Sequence, residues 1–278
     1  MSKILERKSL GPKINLIKLK VPHIVRKAKP GQFVILRIHE RGERIPMSIA
    51  DLDLENDILT IIFQEVGKST AELATFKPGE TLSDVIGPLG KPTPIKNYGT
   101  SVCVGGGIGI APLHPIAKAL KDCGNKVISI IGARSKELLF MEEEMRKISD
   151  ELLITTDDGS YGTRGLVSEP LAEMLKNKKK IDFVMAIGPV PMMKAVCYVT
   201  KPYRIKTMVS LNPIMIDGTG MCGVCRVSVG GETKFACVDG PDFDGHKVDF
   251  DELSIRLKMY LKEEKIAMQR YLSLMGKQ

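Results

Sequence analysis

The chain has 278 residues, 43% hydrophobic and 27% charged, the balance of a globular protein long enough for two modest domains. It has no tryptophan and few other aromatics, which argues against the stacking platforms that bind single-stranded nucleic acid. A net charge of +8 is spread along the length, with one cluster at Lys176 and Lys178 to Lys180; it reads as a solvated surface that also suits an acidic partner or an anionic ligand.

The opening residues, Met-Ser-Lys-Ile-Leu-Glu-Arg-Lys, carry no apolar run of the kind that makes a secretion signal. No stretch approaches the roughly twenty apolar residues of a membrane-spanning helix. Six cysteines, three of them clustered near the end, predict a reducing cytoplasm and a metal site. Cys103 lies in an apolar run and is expected in the core.

Residues 1–97 read as strand-rich. Alternating or β-branched runs predict strands at Ile14–Leu19, Gln32–Ile38, Ile58–Gln64 and Thr81–Ile86. Turn residues separate them at Lys-Pro30-Gly31, Lys-Pro78-Gly79, Gly87-Pro88 and Gly90. Short strands at this spacing predict a small antiparallel barrel. Two places in it carry polar chemistry. Arg44-Ile-Pro46-Met47-Ser48 enters a strand. Gly67-Lys68-Ser69-Thr70 precedes a short helix at Ala71–Thr75, where Ser69 or Thr70 caps and the free N–H groups favour a phosphate. Read alone, the second is a plain helix cap and Arg44 a surface arginine.

Residues 98–210 change to alternating strands and helices. Ser101–Val104 is a buried strand that runs into Gly105-Gly106-Gly107-Ile-Gly109-Ile-Ala111-Pro112 and a helix to about Leu120. Pro112 suits the first helical position. A strand, a glycine loop and a helix in that order let backbone approach a pyrophosphate. Strands follow at Lys126–Ala133, Glu151–Thr156 and Phe183–Ile187, with helices at Lys136–Ile148 and from about Pro191. This predicts a doubly wound sheet with its ligand at the carboxyl ends of the strands. Three such ends stand out: Arg134-Ser135, Asp157-Asp158 and Gly188-Pro189. Arg134 and Ser135 read equally as contacts to an adenosine ribose or phosphate and as a solvated strand end.

Residues 211–246 hold Asp217-Gly-Thr-Gly-Met-Cys222-Gly-Val-Cys225 and, beyond a hairpin turned at Gly230-Gly231, Cys237. Three cysteines in a Gly-rich loop are a thiolate site. The spacing fits a zinc knuckle, or a plant-type iron–sulfur pattern in which Asp217 takes the first position; a disulfide or buried thiol pair is the bland alternative. A carboxylate is a harder and weaker donor than a thiolate, so it would alter a cluster's potential. His246, in the exit loop, reads as a solvated side chain before it reads as a ligand. Residues 247–278 predict a helix from Asp251 to Met275, either a packing arm or a docking helix for another chain.

Taken together, these motifs resemble the ferredoxin–NADP+ reductase superfamily. The order barrel, glycine-loop domain and cysteine arm resembles the iron–sulfur flavoprotein subunits of dihydroorotate dehydrogenase B. The Asp217 variant, with Thr-Asp157-Asp158-Gly-Ser-Tyr-Gly, is more similar to the small subunit of NADH-dependent ferredoxin:NADP+ oxidoreductase. The resemblance covers nearly the whole chain. It implies FAD on Arg44, Pro46, Met47, Ser48, Ile61, Ile62, Gly67, Lys68, Ser69 and Thr70. It implies NAD(H) on Gly105, Gly106, Gly107, Gly109, Ala111, Pro112, Arg134, Ser135, Asp157, Asp158, Gly188 and Pro189. It implies a [2Fe–2S] cluster on Asp217, Cys222, Cys225 and Cys237.

Three positions depart from the family pattern. Met47 stands where a flavin-stacking Tyr is usual, Ile45 where an Arg is usual, and Ile187 where a Cys precedes Gly-Pro. The implied activity is hydride transfer between nicotinamide and flavin, followed by single-electron transfer to the cluster. A larger subunit with its own flavin and clusters would then react with NADPH and ferredoxin, by electron bifurcation. A partner that oxidises dihydroorotate is a second expectation, and a zinc-bearing, nucleotide-binding regulator a third.

Overall fold

The structure, a computed structural model, describes residues 2–275, so the predicted C-terminal segment ends outside the described residues. The first part contains strands β1 (Ser2–Gly11), β2 (Ile14–Lys20), β3 (Phe33–Arg37), β4 (Arg44–Ser48), β5 (Asp51–Asp53), β6 (Ile58–Gln64), β7 (Thr81–Leu82) and β8 (Asp84–Leu89). Two short helices, α1 (Pro22–Val25) and α2 (Lys68–Leu73), connect them. The strands form a five-stranded sheet, β5-β6-β2-β1-β7, and a three-stranded sheet, β4-β3-β8, antiparallel throughout. Both wrap one core that includes Ile17, Leu19, Val34, Leu36, Ile61 and Leu73.

Strand β1 has little sequence signal because Ile4 is its one fully buried residue; charged side chains cover most of the rest. Pairing to β2 holds it in place. Helix α2 begins at Lys68, three residues before the predicted start, because Gly67 takes the N-cap position. Thr70 then lies in the first turn, and its hydroxyl accepts from the N–H groups of Val66 and Gly67 at 3.0 and 3.1 Å.

The second part is a mostly parallel sheet built from β9 (Thr100–Gly106), β10 (Lys126–Ala133), β11 (Glu151–Thr156), β12 (Thr163–Arg164), β13 (Phe183–Ile187) and β14 (Lys206–Ser210). Helices α3 (Ile110–Asp122), α4 (Glu142–Ile148), α5 (Ser168–Lys176) and α6 (Val190–Thr200) pack on its two faces. Strands β9, β10 and β13 are almost wholly buried, as expected of a sheet covered on both sides.

Two expected helices shift. Residues 107–109 form a tight 3-10 turn that leads straight into α3, so Pro112 is the third residue of the helix. Its missing N–H costs nothing there, because the first turn has no intrahelical acceptors. The expected helix over 136–148 breaks: Phe140 is drawn into the core, Met141 takes a left-handed backbone conformation (φ +58°), and α4 starts only at Glu142.

The last part begins with the cysteine loop and the hairpin β15 (Arg226–Val229) and β16 (Glu232–Phe235), followed by α7 (Ala236–Asp239) and β17 (Asp242–Asp244). Strand β17 pairs antiparallel with β14 and completes a seven-stranded sheet, β12-β11-β10-β9-β13-β14-β17. The predicted terminal helix is two helices, α8 (Phe250–Arg256) and α9 (Leu261–Met275). Asp249 caps α8 by accepting from Asp251 and Glu252 N–H groups at 3.1 and 2.9 Å. The Arg256 guanidinium ties its end to the carbonyls of Arg226 and Val224 at 3.1 and 3.0 Å. Helix α9 buries none of its residues fully and lies against α2.

Strand β3 joins the parts. Its even residues, Val34 and Leu36, enter the barrel core. Its odd residues, Phe33 and Ile35, enter a second core shared with Val104, Ala186, Val227 and the cysteine arm. Phe33→Ala is expected to destabilise the protein by about 3–5 kcal/mol, the usual cost of emptying a buried Phe site. Leu54→Ala, at a residue 67% exposed, is expected to stay within about 0.5 kcal/mol. Urea unfolding of both variants checks the contrast.

Candidate functional site

A cleft of about 930 Å³ opens where the outer face of the barrel meets the carboxyl ends of the parallel strands. That is the crevice in which open parallel sheets take ligands, and its size suits a cofactor. All three parts of the chain line it. Pro46, Ser48 and Ile62 come from the barrel, Gly107, Gly188 and Met192 from the nucleotide-type domain, and Met215 and Pro241 from the cysteine arm.

On the barrel side, strand alternation sorts the predicted residues. Ile62 lines the cleft, whereas its neighbour Ile61 is fully buried in the barrel core. Pro46 and Ser48 lie on the cleft wall. Met47 borders the cleft but is only 8% exposed and packs into the barrel core, so the ring-stacking position it takes in sequence faces inward here. Arg44 is exposed at the far end of β4, outside the cleft lining.

Thr70 reaches the cleft; Gly67, Lys68 and Ser69 lie beside it without lining it. Lys68 pairs with Glu72 at 3.2 Å, and the buried Ser69 hydroxyl donates to Glu43. A Cβ added at Gly67 would meet nothing within 4 Å, so its backbone is open to close approach.

On the other side, Gly106, Gly107, Gly109, Pro112, Arg134, Asp157, Gly188 and Pro189 line the cleft. The glycines there have two different duties. A Cβ on Gly109 would sit 2.3 Å from the Ile187 carbonyl oxygen, so this glycine lets the loop press against the end of β13. Gly107 has φ +53° and nothing within 4 Å of its Cβ direction, so it presents bare backbone to the cleft. No side chain caps the 3-10 turn or the start of α3, and these N–H groups are available to an anion.

Gly105 and Ala111 are buried packing residues behind the loop. Ser135 and Asp158 sit just outside the lining. Asp158 accepts from the Ser160 N–H and hydroxyl at 2.9 and 2.6 Å, and these bonds hold its carboxyl below the usual range. Arg134 and Asp157 are exposed at adjacent strand ends. The cleft's open backbone at Gly107 and its mixed apolar wall would suit a flavin and a nicotinamide dinucleotide.

The cysteine loop leaves β14 along the cleft wall at Ser210–Pro213 and Met215. Asp217 ties it: one carboxylate oxygen accepts from the Thr219 N–H at 2.8 Å and the other from the Cys222 N–H at 2.7 Å. These bonds, that from Thr219 first, hold its carboxyl below the usual carboxylate range. Gly218, with φ +74°, lets the loop lie on Leu89 and Ile35 of the barrel; a Cβ there would come within 2.8 Å of Leu89.

The structure brings Cys225 and Cys237 together, with their sulfurs 3.2 Å apart and both residues buried. The hairpin does this: the Ala236 N–H donates to the Cys225 carbonyl at 3.1 Å. Cys222 is exposed on the loop. Among the described residues, no three His, Cys, Asp or Glu side chains converge closely enough to enclose a metal as they stand.

Burial first, and then Cys225, push the Cys237 thiol up to about 12. Two buried thiols this close ionise together only with a cation beside them. Three free cysteines on one arm, two of them already adjacent, are the soft donors that an iron–sulfur cluster takes. His246 is half-buried, and its Nε2 shares a hydrogen bond with the Thr200 hydroxyl at 2.9 Å.

Several cleft residues escaped the sequence reading. Phe33, Phe63, Gln64, Leu138, Leu166, Met192, Asn212 and Pro241 all line the cleft. Gln64 shares the strand phase of Ile62, and that signal was available; Phe63 has the opposite phase and is also part of the barrel core. Asn212 and Pro241 belong to the arm, and nothing local marks them as cleft residues.

Residues 212–249 match the iron–sulfur cluster binding domain of dihydroorotate dehydrogenase B, and residues 103–198 match the oxidoreductase NAD-binding domain. The chain is 49% identical over 255 residues to a dihydroorotate dehydrogenase B (NAD(+)) electron transfer subunit homolog of Thermotoga maritima, covering 92% of this chain and 90% of that protein. It is 36% identical to the dihydroorotate dehydrogenase B (NAD(+)) electron transfer subunit of Bacillus caldolyticus, over 79% of this chain and 86% of that one.

A solved structure of an NADH-dependent reduced ferredoxin-NADP oxidoreductase, described in connection with flavin-based electron bifurcation, superposes with a TM-score of 0.92 at 46% identity, covering 98% of both chains. A Neisseria gonorrhoeae ferredoxin NADP+ reductase with FAD and NADP bound shares the fold at a TM-score of 0.58 and 21% identity, over 72% of this chain and 89% of that one. Among the described residues, no helix is long and apolar enough to cross a membrane. The chain belongs to the family of dihydroorotate dehydrogenase B electron-transfer subunits and their homologues, as an oxidoreductase subunit that uses FAD, NAD(H) and an iron–sulfur cluster.

Proposed function

We propose that this chain carries electrons between NADH and a [2Fe–2S] cluster by way of FAD. It does so as the smaller subunit of an electron-bifurcating assembly whose larger subunit reacts with NADPH and ferredoxin. The observation that carries the reading is the single cleft lined by barrel, nucleotide-type domain and cysteine arm together. A flavin, when bound, accepts an electron pair as hydride and releases electrons singly, which a nicotinamide and a cluster cannot do between themselves.

The chain's own residues bind and orient. Pro46, Ser48 and Ile62 present one wall to a flavin ring, with Met47 behind them. Gly67 and Thr70 lie toward its phosphates, and Arg44, Ile61, Lys68 and Ser69 support that wall from outside the cleft. Gly107 and the uncapped N–H groups ahead of α3 receive a pyrophosphate, backed by Gly105, Gly106, Gly109, Ala111 and Pro112. Arg134, Ser135, Asp157 and Asp158 flank the adenosine end. Gly188 and Pro189, with Met192, place the nicotinamide and keep water from its reacting face. Asp217, Cys222, Cys225 and Cys237 hold the cluster, with Asp217 as the one oxygen donor.

A second reading takes the partner to be a dihydroorotate-oxidising subunit. The 36% identity to the Bacillus caldolyticus electron transfer subunit favours it. Co-purification separates the two: a partner with its own flavin and iron supports the first, and one that oxidises dihydroorotate supports the second.

Anaerobic purification should give roughly one flavin and about two irons per chain, and NADH should bleach both chromophores. Zinc without iron, or no flavin, would overturn the reading. Asp217→Cys is expected to keep a cluster at a shifted potential, read by redox titration followed by electron paramagnetic resonance; an unchanged spectrum and potential removes Asp217 from the ligand set. Gly107→Ala should weaken NADH binding by at least about tenfold while costing the fold only about 1 kcal/mol. Gly109→Ala should lower the melting temperature instead, because its Cβ meets the Ile187 carbonyl at 2.3 Å.

A further inference from the structure

Asp242 is a titratable group that the reading above does not use. It stands on β17 between two cleft-lining residues: Pro241 precedes it in the chain, and Ser210 is its partner across the strand pair. It also lies five residues beyond Cys237 on the same arm. The side chain sits where three parts meet. The buried Thr93 hydroxyl, on the linker from the barrel, donates to Oδ2 at 2.5 Å. Around it, the Lys91 N–H donates to the Gly240 carbonyl at 2.6 Å, and the Leu211 N–H to the Pro241 carbonyl at 2.9 Å. The second carboxylate oxygen, Oδ1, is buried without a hydrogen-bond partner. The residue keeps a partly accessible edge, which gives a proton a route to it.

Among the described residues, no cation is paired with this carboxyl. Lys91 on the linker is turned to Asp239 at 3.8 Å, and Lys247 pairs with Asp244 at 3.7 Å. Lys29, beside Pro30, is exposed, and Lys206, at the start of β14, lies over the Tyr98 ring 5.4 Å from its centre. Burial pushes the Asp242 carboxyl up to about 6, against the pull of the Thr93 and Ser210 hydroxyls. An orphaned buried oxygen is costly as part of an anion and relieved by a proton. Adding negative charge nearby raises that cost, because Coulomb terms between buried charges are weakly screened.

We propose that Asp242 is the proton-holding group of the electron path: where its carboxylate is ionised, it takes a proton from solvent as the cysteine arm takes up an electron, and it returns that proton on reoxidation. The electron comes from NADH through the cleft. The proton converts the carboxylate to the acid, so the junction's net charge is unchanged across the step. The inference rests on the reading that this arm holds an iron–sulfur cluster. It makes Asp242 a positioning residue for charge, with no contact to the reacting atoms.

The test uses the full chain, purified anaerobically with its iron, and follows the cluster's midpoint potential against pH. The wild-type potential should fall with rising pH above about 6, where oxidised protein has lost the Asp242 proton and reduction must recover it. Asp242→Asn should be flat through the same window, near the wild type's low-pH value. Thr93→Val removes a bond to the carboxylate and should move the onset of the fall to higher pH. An Asp242→Asn variant that keeps the wild-type slope overturns the proposal. If that variant does not fold, an unmoved onset in Thr93→Val overturns it instead.

Melting temperatures of cofactor-free protein give a second readout. The folded carboxyl holds its proton more tightly than the unfolded one, so its stabilisation is full below about 4 and is lost as pH rises through about 6. Wild type should therefore lose stability over that range relative to Asp242→Asn. Parallel melting curves overturn the proposal even if the chain proves to carry no iron, in which case the iron assay has separately sunk the functional reading.

Discussion

Burial of strand β3 on both faces is the constraint on which the rest of the molecule depends. Val34 and Leu36 belong to the barrel, and Phe33 and Ile35 belong to the core that contains Cys225 and Cys237. One alternating strand therefore fixes barrel and cysteine arm relative to each other. A buried Phe or Ile contributes about 1.5–3 kcal/mol by removal from water, and that gain is lost if the two cores separate. Interiors pack at crystal-like density, so the junction tolerates little sliding. The cleft keeps its shape for the same reason: Phe33 is both core residue and cleft wall.

Fixed geometry suits a protein that moves charge between bound groups. Here the chain supplies alignment and polarity while the cofactors supply the reactivity. The glycine loop shows how tightly that alignment is drawn, since Gly109 leaves no room for a methyl group and Gly107 leaves only open cleft beside it. The hydrogen-bonded path from His246 through Thr200 to Thr207 pins the arm to the parallel sheet from the far side, with links of 2.9 and 2.7 Å. Cys225 and Cys237 thus rest on a scaffold held from two directions.

Much of this was legible in the residues. The strand–glycine–helix unit and the hairpin at Gly230-Gly231 are local patterns, and both elements form, with the helix starting two residues ahead of Pro112. What escaped depends on contacts far apart in the chain. Strand β1 reads poorly because one side of it is charged and only Ile4 enters the core. Ile61 and Ile62 are the same residue type, and only the phase of β6 sends one to the core and the other to the cleft. Met47 lines up with a ring-stacking position in sequence, yet strand phase turns it inward. Asp242 looks like a surface acid in a turn-rich loop until the linker and β14 close over its carboxyl. Phase and closure are tertiary facts, and a single sequence encodes them only through the whole fold.

Strand β17 has a consequence for how such proteins are put together. The arm that bears the cysteines also supplies the edge strand of the nucleotide-type sheet, running antiparallel to β14. Removing the arm would strip more than a metal site, because it would leave the β14 backbone open along one side. Open strand edges invite other chains to add on. Grafting the cysteine loop onto a related reductase would therefore demand its sealing strand as well, and a truncation before residue 242 should yield a sticky remnant rather than a tidy flavoprotein.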